Sequence, residues 1–236
     1  MAQPTGGLSR FYGVLAALAV AGLAVIGWLV LRKPPLSIPA NVVVTAADTT
    51  GFSGYYLGSD SAPVTITEYG DFQCPLCASW DGVQFPAVRE QLINTGKVRW
   101  RYRDWPIDQL HRWTRVASHA AACADEQGKY WPMHESLFVW QSKWAFSSDA
   151  PSLIHDYAVQ AGLDGAKFDA CMASKKYAGR IQASFDEGEK LGVNATPSFL
   201  IGGRLYIGVE HMSSDEIGKL VDSIIAATPK PATKKP

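Results

Sequence analysis

Two cysteines three positions apart, Cys74 and Cys77, stand where the chain changes from strand-like to helix-like patterning. Before them, Val64-Thr65-Ile66-Thr67-Glu68-Tyr69 alternates as a strand does. After them, from Pro75 to about Asn94, the pattern is helical, and Pro86 is expected to kink or break it. The first sulfur of such a pair sits at a helix N-terminus. There, unpaired backbone N–H groups and the positive end of the helix dipole stabilise a thiolate. Pro75 suits the first turn because it forfeits no hydrogen bond there. A stabilised Cys74 thiolate leaves readily, so the oxidised pair becomes a better oxidant.

Two blander uses of the pair fit less well. A zinc site needs about two more ligands at short spacing. Cys123 and Cys171 are far from each other in sequence, and the five histidines form no short-spaced pair. A purely structural Cys74–Cys77 bond would close too small a loop to constrain the unfolded chain much.

Phe11–Leu31 is a run of 21 residues without charge or proline. As a helix it spans about 31 Å, close to the thickness of a bilayer's hydrocarbon core. Phe11 and Tyr12 lie at one end and Trp28 near the other, as interfacial aromatic residues do. A cleaved signal peptide has a shorter core followed by a small-x-small site. Here Arg32-Lys33-Pro34-Pro35 follows, and Ile38-Pro39-Ala40 makes a poor site, so an uncleaved anchor is expected. Flanking charge gives no orientation, because Arg10 plus the amino terminus balances Arg32 plus Lys33.

The zero net charge averages unlike parts: residues 54–228 hold 16 basic against 21 acidic side chains. That balance argues against a nucleic-acid binder. Residues 32–53 read as a linker rich in Pro, Ser, Thr and Ala. Lys97–Tyr102 alternates as a second strand, with Arg99, Arg101 and Arg103 on what reads as a solvated side. From Leu110 to about Leu191 the periodicity is helical, and Trp113, Val116, Ala117, Ala120, Ala121 and Ala124 trace one apolar face. Ser198–Ile201, Gly202-Gly203 and Arg204–Ile207 spell a two-residue hairpin. Ser213-Ser214-Asp215-Glu216 opens a last helix with a capping-box spacing, and a Pro- and Lys-rich tail at 229–236 reads as disordered.

This order resembles the DsbA-like branch of the thioredoxin superfamily. The motifs that carry the resemblance are a strand, Asp71-Phe72-Gln73-Cys74-Pro75-Leu76-Cys77, a long helical insertion, and Ala195-Thr196-Pro197-Ser198-Phe199 before a hairpin and terminal helix. The resemblance covers roughly residues 54–228, with the insertion at about 108–191. It implies an α/β thioredoxin-like fold with an inserted α-helical subdomain, here preceded by one transmembrane helix. It makes Cys74 the exposed nucleophile, Cys77 its buried partner, Pro197 a cis-proline facing the disulfide with Thr196 before it, and Glu68 a buried acid serving Cys77. The other reading of Glu68 is an ordinary solvent-facing strand residue. Where well-known members carry Pro-His between the cysteines, this chain has Pro75-Leu76, and Leu76 offers the thiolate neither charge nor hydrogen bond.

The resemblance further implies disulfide exchange outside the cytosol, with residues 1–10 cytoplasmic and the domain in the periplasm or at the cell exterior. Exported cysteine-containing proteins would be the substrates. Reoxidation would fall to a quinone-linked membrane partner of the DsbB or vitamin-K-epoxide-reductase type. No bound cofactor or metal is expected. The same fold run as a reductase or isomerase is the main alternative, and a thiol metal-binding module is another. With Cys74 and Cys77 reserved for exchange, an exported chain is expected to pair Cys123 with Cys171; two free buried cysteines are the other possibility. His111 reads as a surface or capping residue, and Trp105, Trp113, Trp131, Trp140 and Trp144 read mostly as core.

Overall fold

A computed structural model describes residues 6–31, 36–209 and 211–228. The flank at 32–35 and the tail at 229–236 therefore lie outside the described residues. The chain forms two compact units divided between Leu36 and Ser37. The first is a helix, α1 (Gly6–Leu31). Its stretch Arg10–Trp28 is long and apolar enough to cross a membrane.

In the second unit the alternating segments become strands. β2 (Val64–Gly70) and β3 (Val98–Asp104) pair in parallel at the centre of a five-stranded sheet. β4 (Ser198–Ile201) runs antiparallel beside β2 and carries β5 (Arg204–Tyr206) at its outer edge. β1 (Tyr55–Leu57), a strand the sequence pattern does not announce, closes the other edge, giving the order β1-β3-β2-β4-β5. Gly202 and Gly203 both take positive φ, 57° and 80°, as a tight hairpin turn requires.

The period of two sorts the side chains between two faces. Val64 and Ile66 join Trp100, Phe199 and Ile201 on one face. α3 (Pro75–Val83) and α4 (Phe85–Val88) supply Trp80, Phe85 and Val88 to it. The last helix, α11 (Ser214–Ala227), adds Ile217 and Val221. The break between α3 and α4 falls at Gln84, so Pro86 enters the first turn of a new helix and interrupts no bond. Ser213 and Glu216 close the expected capping box on α11.

The helical insertion comprises α5 (Thr114–Asp125), α6 (Tyr130–Val139), α7 (Gln141–Trp144), α8 (Ala150–Gln160), α9 (Gly165–Ser174) and α10 (Ala178–Leu191). Sequence periodicity gives α5 one apolar face, but the helix is buried all round, from Thr114 through Ala124. Its run of small residues lets neighbouring helices close in on every side. A disulfide joins Cys123 on α5 to Cys171 on α9.

Two other expectations are corrected. The linker reading ends early: Ile38 is buried, Asn41 N–H donates to Gln182, and a short helix, α2 (Ala46–Thr49), is capped by Thr45 and Asp48. The arginine side of β3 is not solvated either. Glu187 on α10 accepts from both Arg101 and Arg103 at 2.8 Å, and Arg103 is buried, while Arg99 pairs with Asp60. Of the tryptophans, 105, 113 and 144 are core, 131 packs at its edge, and Trp140 is largely exposed.

Candidate active site

Cys74 is the N-cap of α3, with extended backbone, and Pro75 opens the helix. Its N–H donates to the Asp71 carbonyl at 3.0 Å, and its own carbonyl accepts from Ala78 at 3.2 Å and from the Gln141 side chain at 2.9 Å. These bonds hold the sulfur over the first turn. The thiol donates to the Thr196 carbonyl at 3.6 Å, which brings the loop before β4 against it. The Thr196–Pro197 peptide bond is cis.

The expectation of an exposed first cysteine is corrected. Cys74 is only 5% exposed, because the Thr196 loop packs over it. Pro75 and Leu76, the latter 46% exposed, are the residues the motif presents to solvent.

The two thiols are pushed in opposite directions. A hydrogen bond from the Cys77 thiol is the main force lowering Cys74, to about 6; burial opposes it, while the Thr196 side chain and the backbone N–H groups of Cys77 and Leu76 assist. Cys77, fully buried a turn further in, is raised well above the ordinary thiol range, first by burial and then by Cys74. The arrangement gives one sulfur that ionises easily and one that holds its proton.

Glu68 lies beneath them. It follows Val64 and Ile66 at period two, so it faces the helices and is 1% exposed, which rules out the solvent-facing reading. Trp100 Nε1 donates to its Oε2 at 3.1 Å. Burial, then the charge of Asp81, raises its pKa to about 8. Asp81, on α3, is itself raised to about 7 by burial.

Sequence reasoning missed what holds the other side of the cysteine loop. Asp71 is 1% exposed, and its carboxylate accepts from the backbone of Gln73 and Ile107, the hydroxyl of Thr114 and the Nδ1 of His111. Gln73 accepts from the Trp113 N–H at 2.6 Å and donates to the Ala145 carbonyl. Segment 107–114 is thereby fastened to the cysteine loop. Two buried polar side chains directly before the motif, Asp71 and Gln73, were the available signal. Among the described residues, no cluster of three or more His, Cys, Asp or Glu side chains is placed to hold a metal ion.

Comparison with known proteins agrees with this geometry. A family model described as thioredoxin matches residues 52–223. A protein named Na(+)/H(+) antiporter NhaA 3, from Salinispora tropica, is 32% identical over 83% of this chain but only 30% of its own length. The chain thus spans about a third of that relative, and the name describes a protein mostly outside the match. A probable disulfide bond formation protein D from Bacillus anthracis is 27% identical over 70% of this chain and 76% of its own. Among solved structures, oxidised BdbD of Bacillus subtilis superposes with a TM-score of 0.66 at 21% identity, covering 80% of this chain and all of that one. The thiol-disulfide exchange protein alpha-DsbA2 of Wolbachia pipientis gives 0.62 at 25% identity, over 75% of this chain and 90% of that one. The resemblance and the fold class read from the sequence are borne out: the chain belongs to the thioredoxin family, in its DsbA-like form.

Proposed function

We propose that this chain is a membrane-anchored thiol:disulfide oxidoreductase that introduces disulfides into exported proteins through Cys74 and Cys77. The observation that carries the proposal is the placement of the two thiols, Cys74 capping α3 beside the Thr196 loop and Cys77 fully buried a turn further in, which pushes their ionisation in opposite directions. A substrate thiolate attacks the Cys74 sulfur of the oxidised pair, and Cys77 leaves as a thiolate. Because Cys77 holds its proton strongly, it takes one from Glu68, whose buried carboxyl still carries a proton near neutrality. A second substrate thiolate then attacks the mixed disulfide, releasing the substrate disulfide and the Cys74 thiolate. The Thr196–Pro197 loop, beside the sulfur, is placed to pair with an extended substrate segment.

Phe11–Leu31 serves as the uncleaved anchor, with the first residues cytoplasmic and the domain extracytoplasmic, where disulfides persist. The Cys123–Cys171 bond supports that compartment. A quinone-linked membrane oxidoreductase of the DsbB or vitamin-K-epoxide-reductase type returns the pair to the disulfide.

The redox equilibrium of the detergent-solubilised full chain with glutathione tests the reading. An oxidase is expected above roughly −200 mV, and a value near −270 mV would make the chain a reductase instead. Failure of Cys74 and Cys77 to exchange with glutathione at all would remove the enzymatic reading. Intact mass of the membrane-extracted protein tests the anchor: a soluble form beginning near residue 41 would contradict it.

A further inference from the structure

Leu76 leaves an unfilled role at the site, because nothing between the cysteines contributes positive charge to the Cys74 thiolate. Another segment brings a group that can. His111 lies in the stretch between β3 and α5, 40 residues from Asp71, yet its Nδ1 is 2.7 Å from the Asp71 Oδ2. Asp71 also accepts the Cys74 N–H through its backbone carbonyl, so one residue holds both the cysteine and the imidazole. The His111 side chain is 14% exposed, and Asp71 is completely covered. Among the described residues no group bonds the second ring nitrogen, Nε2.

We propose, on the reading of Cys74 given above, that His111 acts as a positioning cation: clamped by Asp71, it stabilises the Cys74 thiolate in place of a histidine between the cysteines. The hydrogen bond to Asp71 is the main force favouring the charged imidazole; burial opposes it, and the charges of Asp71 and then Cys74 add to the first. The other charges of its own segment are engaged elsewhere. Arg115 pairs with Asp108 at 2.8 Å, and Arg112 lies over the Trp113 ring. In the exchange cycle the imidazolium gains importance when Cys74 leaves as a thiolate. No proton or electron moves to or from His111; the negative charge that appears on sulfur is met by a positive one already in place.

Reciprocity makes this testable without any substitution. If imidazolium and thiolate stabilise each other, each must shift the other's titration by the same factor. NMR titration of the His111 ring in the full-length protein should give a higher pKa with Cys74 and Cys77 reduced than with them joined. Equal values in the two redox forms overturn the proposal. His111→Asn keeps a donor for Asp71 near the Nδ1 position and removes the charge. In that variant the rate of Cys74 alkylation by iodoacetamide at about pH 6 should fall roughly three- to tenfold, as thiolate is lost at tenfold per pKa unit. The loss should vanish at about pH 9, well above the ordinary imidazole range. An alkylation profile matching the unmodified protein at every pH overturns the proposal while leaving the oxidoreductase reading intact. A chain whose cysteines never exchange with glutathione removes both.

Discussion

Trp100 donates its indole N–H to the carboxyl of Glu68 at 3.1 Å, and both side chains are almost wholly out of solvent. Among the described residues, the buried carboxyl thus has one neutral donor and no cation acting on it. Its pKa rises to about 8, against an ordinary value of 4.5. Between those values the unfolded chain has released a proton that the folded one retains. Stability attributable to Glu68 is therefore complete below about pH 4.5, falls as pH rises toward 8, and is lost above it. Glu68→Gln should stabilise the domain by roughly 2–4 kcal/mol at pH 8 and by little at pH 4.5, at about 1.4 kcal/mol per pKa unit. Urea unfolding at the two pH values measures it, and the same variant should slow the reduction of the pair by removing the proton source for Cys77.

The intervening Leu76 should prove a site where potential can be tuned. Its side chain is largely exposed on the first turn of α3, so a histidine there meets no packing constraint. Leu76→His should lower Cys74 further and make the pair more oxidising, by about 30 mV for each 1.4 kcal/mol gained. Glutathione equilibration measures the change, and an unchanged potential would mean that this position does not reach the sulfur.

The Cys123–Cys171 bond closes a separation of 48 residues within the insertion, far from the dithiol in sequence. Removing it by Cys123→Ala with Cys171→Ala should cost about 4 kcal/mol in the chain-entropy account, while leaving the Cys74 titration in place. Denaturant unfolding of the double variant checks the first part. Alkylation mapping after mild reductant checks that 74–77 opens before 123–171 does.

Glu187 is the shared acceptor for Arg101, Arg103 and Tyr69 on the face of the sheet away from the cysteines. Glu187→Ala would strand the buried Arg103 without its carboxylate. A loss of about 3–5 kcal/mol is expected, the usual cost of breaking a buried pair from one side. Thermal unfolding reads it, and the alkylation rate of Cys74 should stay as it was.

These contrasts also show which parts of the molecule are legible in the amino-acid order. Period two along β2, the helix opening at Pro75, the Gly202-Gly203 turn and the Ser213 cap are local, so a few consecutive residues announce each of them. The period even places Glu68 on the cysteine side once Val64 and Ile66 are known to be core. Arg101 and Arg103 of β3 read as solvated because their partner, Glu187, lies 84 residues from Arg103 on a helix that packs over the strand. His111 reads as a surface or capping residue for the same reason, since its bond is to Asp71, 40 residues earlier. The short strand Tyr55–Leu57 has too few residues to show a period at all. The burial of Cys74 follows from the Thr196 carbonyl 122 residues away, which no local spacing encodes.

The central claim is that Cys74, at the helix opening, is the thiol that ionises first. Thiolate absorbance of the reduced full-length protein against pH, with Cys74→Ser as the reference, measures this directly. A transition near pH 6 that disappears in Cys74→Ser is the predicted result. A Cys74 transition at or above about 8.5, the ordinary value for a free thiol, would contradict it.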